Sequence, residues 1–210
     1  MATAGTFSGD IVVSGDIRLG GAISPLKDKD QVLAVETKTM LIPWTWFRIW
    51  DAMGTNLPGT ASGDNLGLLG GTFGTDVCSI QSVDFGGTTT TAYARVAIPL
   101  PADYVAGQSV VLRIHGGMLV VADTTCTVDV ECYKGNEEAV KTGSDLASAA
   151  TANNIKSATF ADVDFTIAAA TLNPGDVLDV RISVTGTDAG NAAPNITAVL
   201  GAIKLVYGGR

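Results

Sequence analysis

The sequence predicts an all-β protein, an antiparallel β-sandwich over residues 44–210 preceded by an extended N-terminal arm over residues 1–43. Three observations carry that expectation. The chain is 46% hydrophobic but only 16% charged and holds 25 glycines in 210 residues, which favours short strands and glycine turns over amphipathic helices. Apolar and polar residues alternate with period two through several segments of the C-terminal half. Turn signals, of which Asn173-Pro174-Gly175-Asp176 is the strongest, separate those segments at spacings typical of a sandwich. A chain of this size buries roughly 70% of its unfolded surface, enough for a core without staples.

The arm contains a near-repeat. Ser8-Gly9-Asp10-Ile11-Val12-Val13 is followed at once by Ser14-Gly15-Asp16-Ile17-Arg18-Leu19. Two copies of a turn plus short strand are too few for a self-supporting solenoid, so Ile11 and Ile17 are candidate contacts with another chain. An ordinary hairpin packed on its own domain fits the same residues, and both readings stay open. After Ser24-Pro25 and the charged stretch Lys27-Asp28-Lys29-Asp30, residues 32–40 are compatible with a short helix or a strand.

All three tryptophans fall in residues 44–50. Read as a strand, this segment puts Trp44, Trp46 and Trp50 on one face and Phe47 and Ile49 on the other, so neither face is polar. Such a strand is central in a sandwich or wedged between subunits, and the three tryptophans are candidate interface residues. Residues 55–74 form a long glycine-rich connection. Its Leu57, Leu66, Leu68, Leu69 and Phe73 argue against free disorder, and we expect it to drape over a neighbouring surface with Leu66, Leu68, Leu69 and Phe73 in contact.

The remaining strands follow from alternation. Residues 93–98 lead to Pro99-Leu100-Pro101, and Ala106-Gly107 introduces residues 110–114. Cys126, Val128, Val130 and Cys132 share one face of residues 125–133, with Asp129, Glu131 and Tyr133 on the other. Ala161, Val163, Phe165 and Ile167 alternate with Asp162 and Asp164, and Leu178, Val180, Ile182 and Val184 alternate with Asp179 and Arg181. Residues 196–207 close the chain as a long, more apolar strand.

The residues that could carry chemistry are few. His115 is the one histidine of the chain; placed between residues 110–114 and Gly116-Gly117, it reads as structural, and without it no Ser-His-Asp or Cys-His arrangement can be built. Cys126 and Cys132 lie about 20 Å apart on one strand and cannot pair with each other; with Cys78 the count is odd, so buried free thiols are expected. The glycine cluster 67–74 lacks the Gly-Lys-Ser/Thr ending of a phosphate cradle, and no EF-hand or C-x-x-C spacing occurs. No catalytic, cofactor-binding or metal-binding residue is expected. A net charge of −8 with no compensating basic run opposes nucleic-acid binding, and no 18-residue apolar stretch spans a bilayer. Residues 1–6 lack the features of a secretory signal, so synthesis and retention in the cytoplasm are expected.

Fragments spread over most of the chain carry a family resemblance. They are Asp51-Ala52 with Leu57-Pro58-Gly59-Thr60, Asp64-Asn65-Leu66-Gly67-Leu68 with Gly71-Thr72-Phe73-Gly74, Pro99-Leu100-Pro101 with Tyr104-Val105-Ala106-Gly107, and Leu172-Asn173-Pro174-Gly175-Asp176-Val177-Leu178-Asp179-Val180. Together they resemble tailed-phage virion proteins of jelly-roll type. The resemblance implies a capsid decoration or cement protein of the virion surface, made in the host cytoplasm, oligomeric and with trimers favoured. Its implied partner is the major capsid protein, and it carries over no catalytic residue. The competing expectation, from a different class, is a receptor- or carbohydrate-binding module of a phage tail or fibre, with the clustered tryptophans stacking on sugars.

Overall fold

The structure, a computed structural model, describes residues 34–121, 124–135, 143–189 and 196–210, all within the compact unit Ala34–Arg210. Ile11, Ile17 and the Ser-Gly-Asp-Ile repeat lie outside the described residues. The described chain is a two-sheet antiparallel β-sandwich, as the alternation predicts. Its strands are β1 (Glu36–Leu41), β2 (Arg48–Ile49), β3 (Ala52–Asn56), β4 (Gly67–Leu69), β5 (Ser79–Gln81), β6 (Thr90–Pro99), β7 (Val110–Met118), β8 (Thr124–Gly135), β9 (Asn153–Asn154), β10 (Ala161–Ile167), β11 (Val177–Asp188) and β12 (Ala198–Gly209). Among the described residues the only helical turn is a 3-10 turn, Trp44–Trp46.

Sheet A runs β10-β7-β12-β5-β4, with β1 also on β12; sheet B runs β3-β2-β6-β11-β8-β9. From β5 onward the long strands alternate sheets, β6 in B, β7 in A, β8 in B, β10 in A, β11 in B and β12 in A. Each crossing carries the chain over the core, which is the winding of a jelly-roll-type sandwich. One hydrophobic cluster draws on both inner faces. Ala92, Ala94, Val96 and Ile98 of β6 and Leu178, Val180, Ile182 and Val184 of β11 meet Leu112 and Ile114 of β7 and Ile203 and Leu205 of β12.

β12 breaks its own alternation. Ala198 and Leu200 point inward before Gly201-Ala202, Ile203 and Leu205 after it, and the β7 register shifts between Leu200 and Ile203. The extra residue is a bulge that restores the apolar face to the core. It leaves the Gly201 carbonyl to accept a hydrogen bond from Trp44 Nε1 at 2.8 Å.

Several expectations are corrected. Residues 36–41, assigned to the arm, form β1 and pair in register with β12 from Glu36↔Gly209 to Leu41↔Lys204, and Ile42 is in the core. The described residues before Pro43 therefore belong to the sandwich. Residues 44–50 are not one strand. Pro43 has no N–H to give a ladder and its fixed φ starts the 3-10 turn, closed by Trp46 N–H to Pro43 O and Phe47 N–H to Trp44 O. His115 lies inside β7, not at a strand end, because Gly116 and Gly117 continue the ladder; a Cβ on Gly117 would sit 2.8 Å from the Phe160 ring. Cys126 and Cys132 are buried and in no disulfide, as expected, but Cys78 is exposed.

The 55–74 connection also differs from expectation. It is not a drape: β3 takes its start, β4 its middle, and Leu57 and Leu66 fill the chain's own core. Leu66 N–H donates to Tyr93 O and Leu68 N–H to Pro58 O. Gly67 explains the tight path, since a Cβ there would lie 2.3 Å from Ala61 N. Glycine permits close backbone approach at this point, so its presence does not signal a loose loop.

Candidate functional site

The sandwich presents two surfaces with chemistry beyond a solvated strand face. The first is on the outer side of sheet B. Register places Arg48 opposite Arg95, Arg95 opposite Arg181 and Arg181 opposite Glu131, one row across β2, β6, β11 and β8. Like charges directly opposed across a ladder repel, and the three guanidinium groups are satisfied separately: Arg48 by Thr45 O and Asn56 Oδ1, the other two by carboxylates. Arg95 forks onto Asp179, Nε to Oδ1 at 2.7 Å and Nη2 to Oδ2 at 2.5 Å, and this hydrogen bond raises its pKa above the ordinary arginine value. Arg181 Nη2 donates to Glu131 Oε1 at 2.5 Å.

Aromatic rings hold Arg181 from beside the row. Its guanidinium lies 5.2 Å from the centroid of Trp50 and 4.9 Å from that of Tyr93, whose rings are 5.1 Å apart. Trp50 Nε1 donates to Asp64 Oδ2 at 3.1 Å. Trp50, Asp51, Arg95, Glu131, Tyr133, Asp179 and Arg181 line an open trough of about 440 Å³. Burial raises the Tyr133 phenol pKa, and the Glu131 and Asp145 carboxylates add to that, so Tyr133 keeps its proton at neutral pH.

The second surface is the β4–β5 end of sheet A. Thr72 N–H donates to Asp76 Oδ2 at 2.7 Å, and Thr75 and Asp76 N–H both donate to Thr72 O. Gly71 adopts φ 57° and Gly74 φ 89°, and a Cβ on Gly71 would meet the Asp76 side chain at 2.2 Å. The turn is thus hydrogen-bonded and sterically set, and it holds Phe73 wholly in solvent. Val77, Leu119, Val120 and Val121 are exposed apolar side chains of the same sheet's loops. Leu69, Val77, Leu119 and Phe160 share the lining of a hollow of about 730 Å³.

The seven candidate residues that the structure describes separate. Trp44 is tied to β12 of sheet A, Trp46 is 40% exposed on the 3-10 turn, and Trp50 lies on sheet B, so the three tryptophans make no common platform. Leu66 is 0% exposed within its own core and is removed from the candidate interface by that burial. Leu68 packs against the core while partly exposed, Leu69 lines the hollow, and Phe73 alone of the loop residues points fully outward. Alternation did place Asp179, Arg181, Glu131 and Tyr133 on outward faces. Their convergence with Arg95, Tyr93 and Trp50 was not readable, because it depends on cross-strand register. Among the described residues no three His, Cys, Asp or Glu side chains gather as a metal-binding group.

No family model and no curated protein matches the chain. Among solved structures it is similar to the CBM22-1 xylan-binding domain of Xyn10C from Paenibacillus barcinonensis, at 9% identity over 72% of this chain and 85% of that one, with a TM-score of 0.38. It is similar to a Family 16 carbohydrate-binding module at 17% identity, over 70% of this chain and 88% of that one, with a TM-score of 0.38. A third similarity, to a chain of infectious bursal disease virus strain Gx, has 12% identity and a TM-score of 0.33; it covers 82% of this chain and 32% of that one, so this chain spans about a third of its length. At these values the likenesses decide nothing about function. By its strand order the chain is a jelly-roll-type β-sandwich.

Proposed function

We propose that this chain is a structural, non-catalytic virion protein that decorates or cements a phage capsid shell, docking through the Phe73 end of sheet A. The observation that carries this reading is the hydrogen-bonded turn that fixes Phe73 in solvent. An unstructured loop could hide such a ring, whereas a turn locked by Asp76 and Gly71 keeps it out at a standing cost in exposed apolar area. Aromatic anchors of this kind dominate the energetics of protein interfaces, and the adjoining hollow is a receptacle for a partner side chain. The resemblance to tailed-phage virion proteins supplies the nature of the partner, the major capsid protein, and favours self-association as a trimer.

The test is a reconstruction of the particle that carries the chain. Density for the sandwich at regular positions of the capsid lattice, with Phe73 against a neighbouring chain, supports the reading. Density confined to the tail tip sinks it in favour of an adhesin.

A further inference from the structure

We propose that the trough on the outer face of sheet B is a second, independent binding site, whose ligand is a neutral saccharide. It lies on the opposite sheet from Phe73, so a chain docked through sheet A leaves it free. Its volume of about 440 Å³ falls in the range of small-ligand sites, roughly 300–1,000 Å³.

The groups that the trough already satisfies select the ligand class. Both arginines hold carboxylates, Arg95 on Asp179 and Arg181 on Glu131, and Asp51 adds a third acid to the lining. An anion would have to compete with those carboxylates in a site with more acids than bases, on a chain of net charge −8. An apolar ligand would strip water from five charged groups, which costs far more than its contact area returns. A cation would have to displace the Arg181 guanidinium from the Trp50 and Tyr93 rings it already covers.

A hydroxyl group escapes all three objections, because it donates and accepts at once. It can accept from a spare guanidinium N–H and donate to a carboxylate oxygen of the same ion pair without breaking the pair. Vicinal hydroxyls on a sugar ring match the side-by-side atoms of the Arg95–Asp179 fork, and the half-buried Tyr133 offers aromatic surface to ring C–H groups, while Trp50 holds Arg181 in place. The ion-paired groups stand on β6, β8 and β11, and Arg95 and Arg181 are each fixed by a carboxylate, so little side-chain freedom remains to be lost on binding.

The full chain is applied to an array of neutral oligosaccharides printed beside sialylated and sulfated ones, and the best responder is then titrated in solution. Binding to neutral members is expected. Asp179→Asn, which keeps the shape but breaks the fork, and Trp50→Ala should each weaken it by about tenfold or more. Tyr133→Ala, which leaves both ion pairs in place, is a further probe if either variant fails to fold. Phe73→Ser should bind as the unmodified chain does, which separates this site from the docking face. Absence of any neutral glycan binding at millimolar concentration, retention of acidic glycans alone, or full affinity in the folded variants would each overturn the proposal.

Discussion

Arg95 and Arg181 face each other directly across the β6–β11 ladder, yet they turn to different carboxylates, Asp179 on the same strand as Arg181 and Glu131 one strand further on. Two like charges in one register position would ordinarily destabilise a sheet. Here the diagonal fork and the lateral ion pair divide the guanidinium groups between them, and stacking on Trp50 and Tyr93 holds Arg181 in place. The result is an ordered polar patch on the outer face of sheet B.

Phe73 and Leu66 come from the same glycine-rich stretch and should behave oppositely. Phe73→Ser should leave the melting temperature unchanged and weaken particle binding about ten- to a hundredfold, from the roughly 1.5–3 kcal/mol that burying such a side chain contributes. Leu66→Ala should destabilise the fold by about 2–5 kcal/mol, because it opens a cavity in the core. Co-sedimentation with particles and thermal melting of both variants check this; equal binding by Phe73→Ser removes the turn from any interface.

The start of the sandwich can be mapped by truncation. A chain beginning at Ala34 keeps β1 on β12 and Ile42 in the core, and should melt within a few degrees of the full chain. One beginning at Trp44 exposes the edge of β12 and deletes Ile42, whose burial alone is worth about 1.5–3 kcal/mol. It should be destabilised or aggregate. Similar melting of the two shortened chains would show β1 to be dispensable.

Thiol chemistry should distinguish the three cysteines. Burial pushes the Cys126 thiol up to about 12, so almost no thiolate exists near neutrality, and Cys132 is equally enclosed. Exposed Cys78 should react alone in the native state. One equivalent of thiol reagent consumed per native chain and three after denaturation is the expected count; rapid modification of Cys126 in the folded protein contradicts the described core.

Acid should weaken the sandwich through its surface ion pairs. The Arg113 hydrogen bond holds Asp164 below the ordinary carboxylate range, and Lys38, with Tyr207, does the same for Asp103. A carboxyl whose folded pKa is depressed contributes stability that is complete above its unfolded value, about 4, and is lost as pH falls through the lower folded value. Melting temperature should therefore decline below about pH 4. Asp164→Asn should show a shallower acid decline than the unmodified chain, and an identical acid limb would mean that the pair contributes nothing measurable.

The sequence by itself determined the all-β class and the inward faces of β8, β10 and β11, because a half-buried strand writes its burial into a period of two that needs no knowledge of its neighbours. It also named Phe73 as a candidate contact residue. It could not separate Phe73 from Leu66, since both are large apolar residues among glycines and only the path of the backbone puts one in solvent and the other beneath Tyr93 O. Nor could it read residues 44–50, where local aromatic pattern suggested a strand and Pro43 started a 3-10 turn that sends Trp44 to sheet A and Trp50 to sheet B. The trough was hidden for a related reason. Arg95, Glu131 and Arg181 are far apart in the chain, and what unites them is the register of three strands, which is set by the packing of the opposite, buried faces.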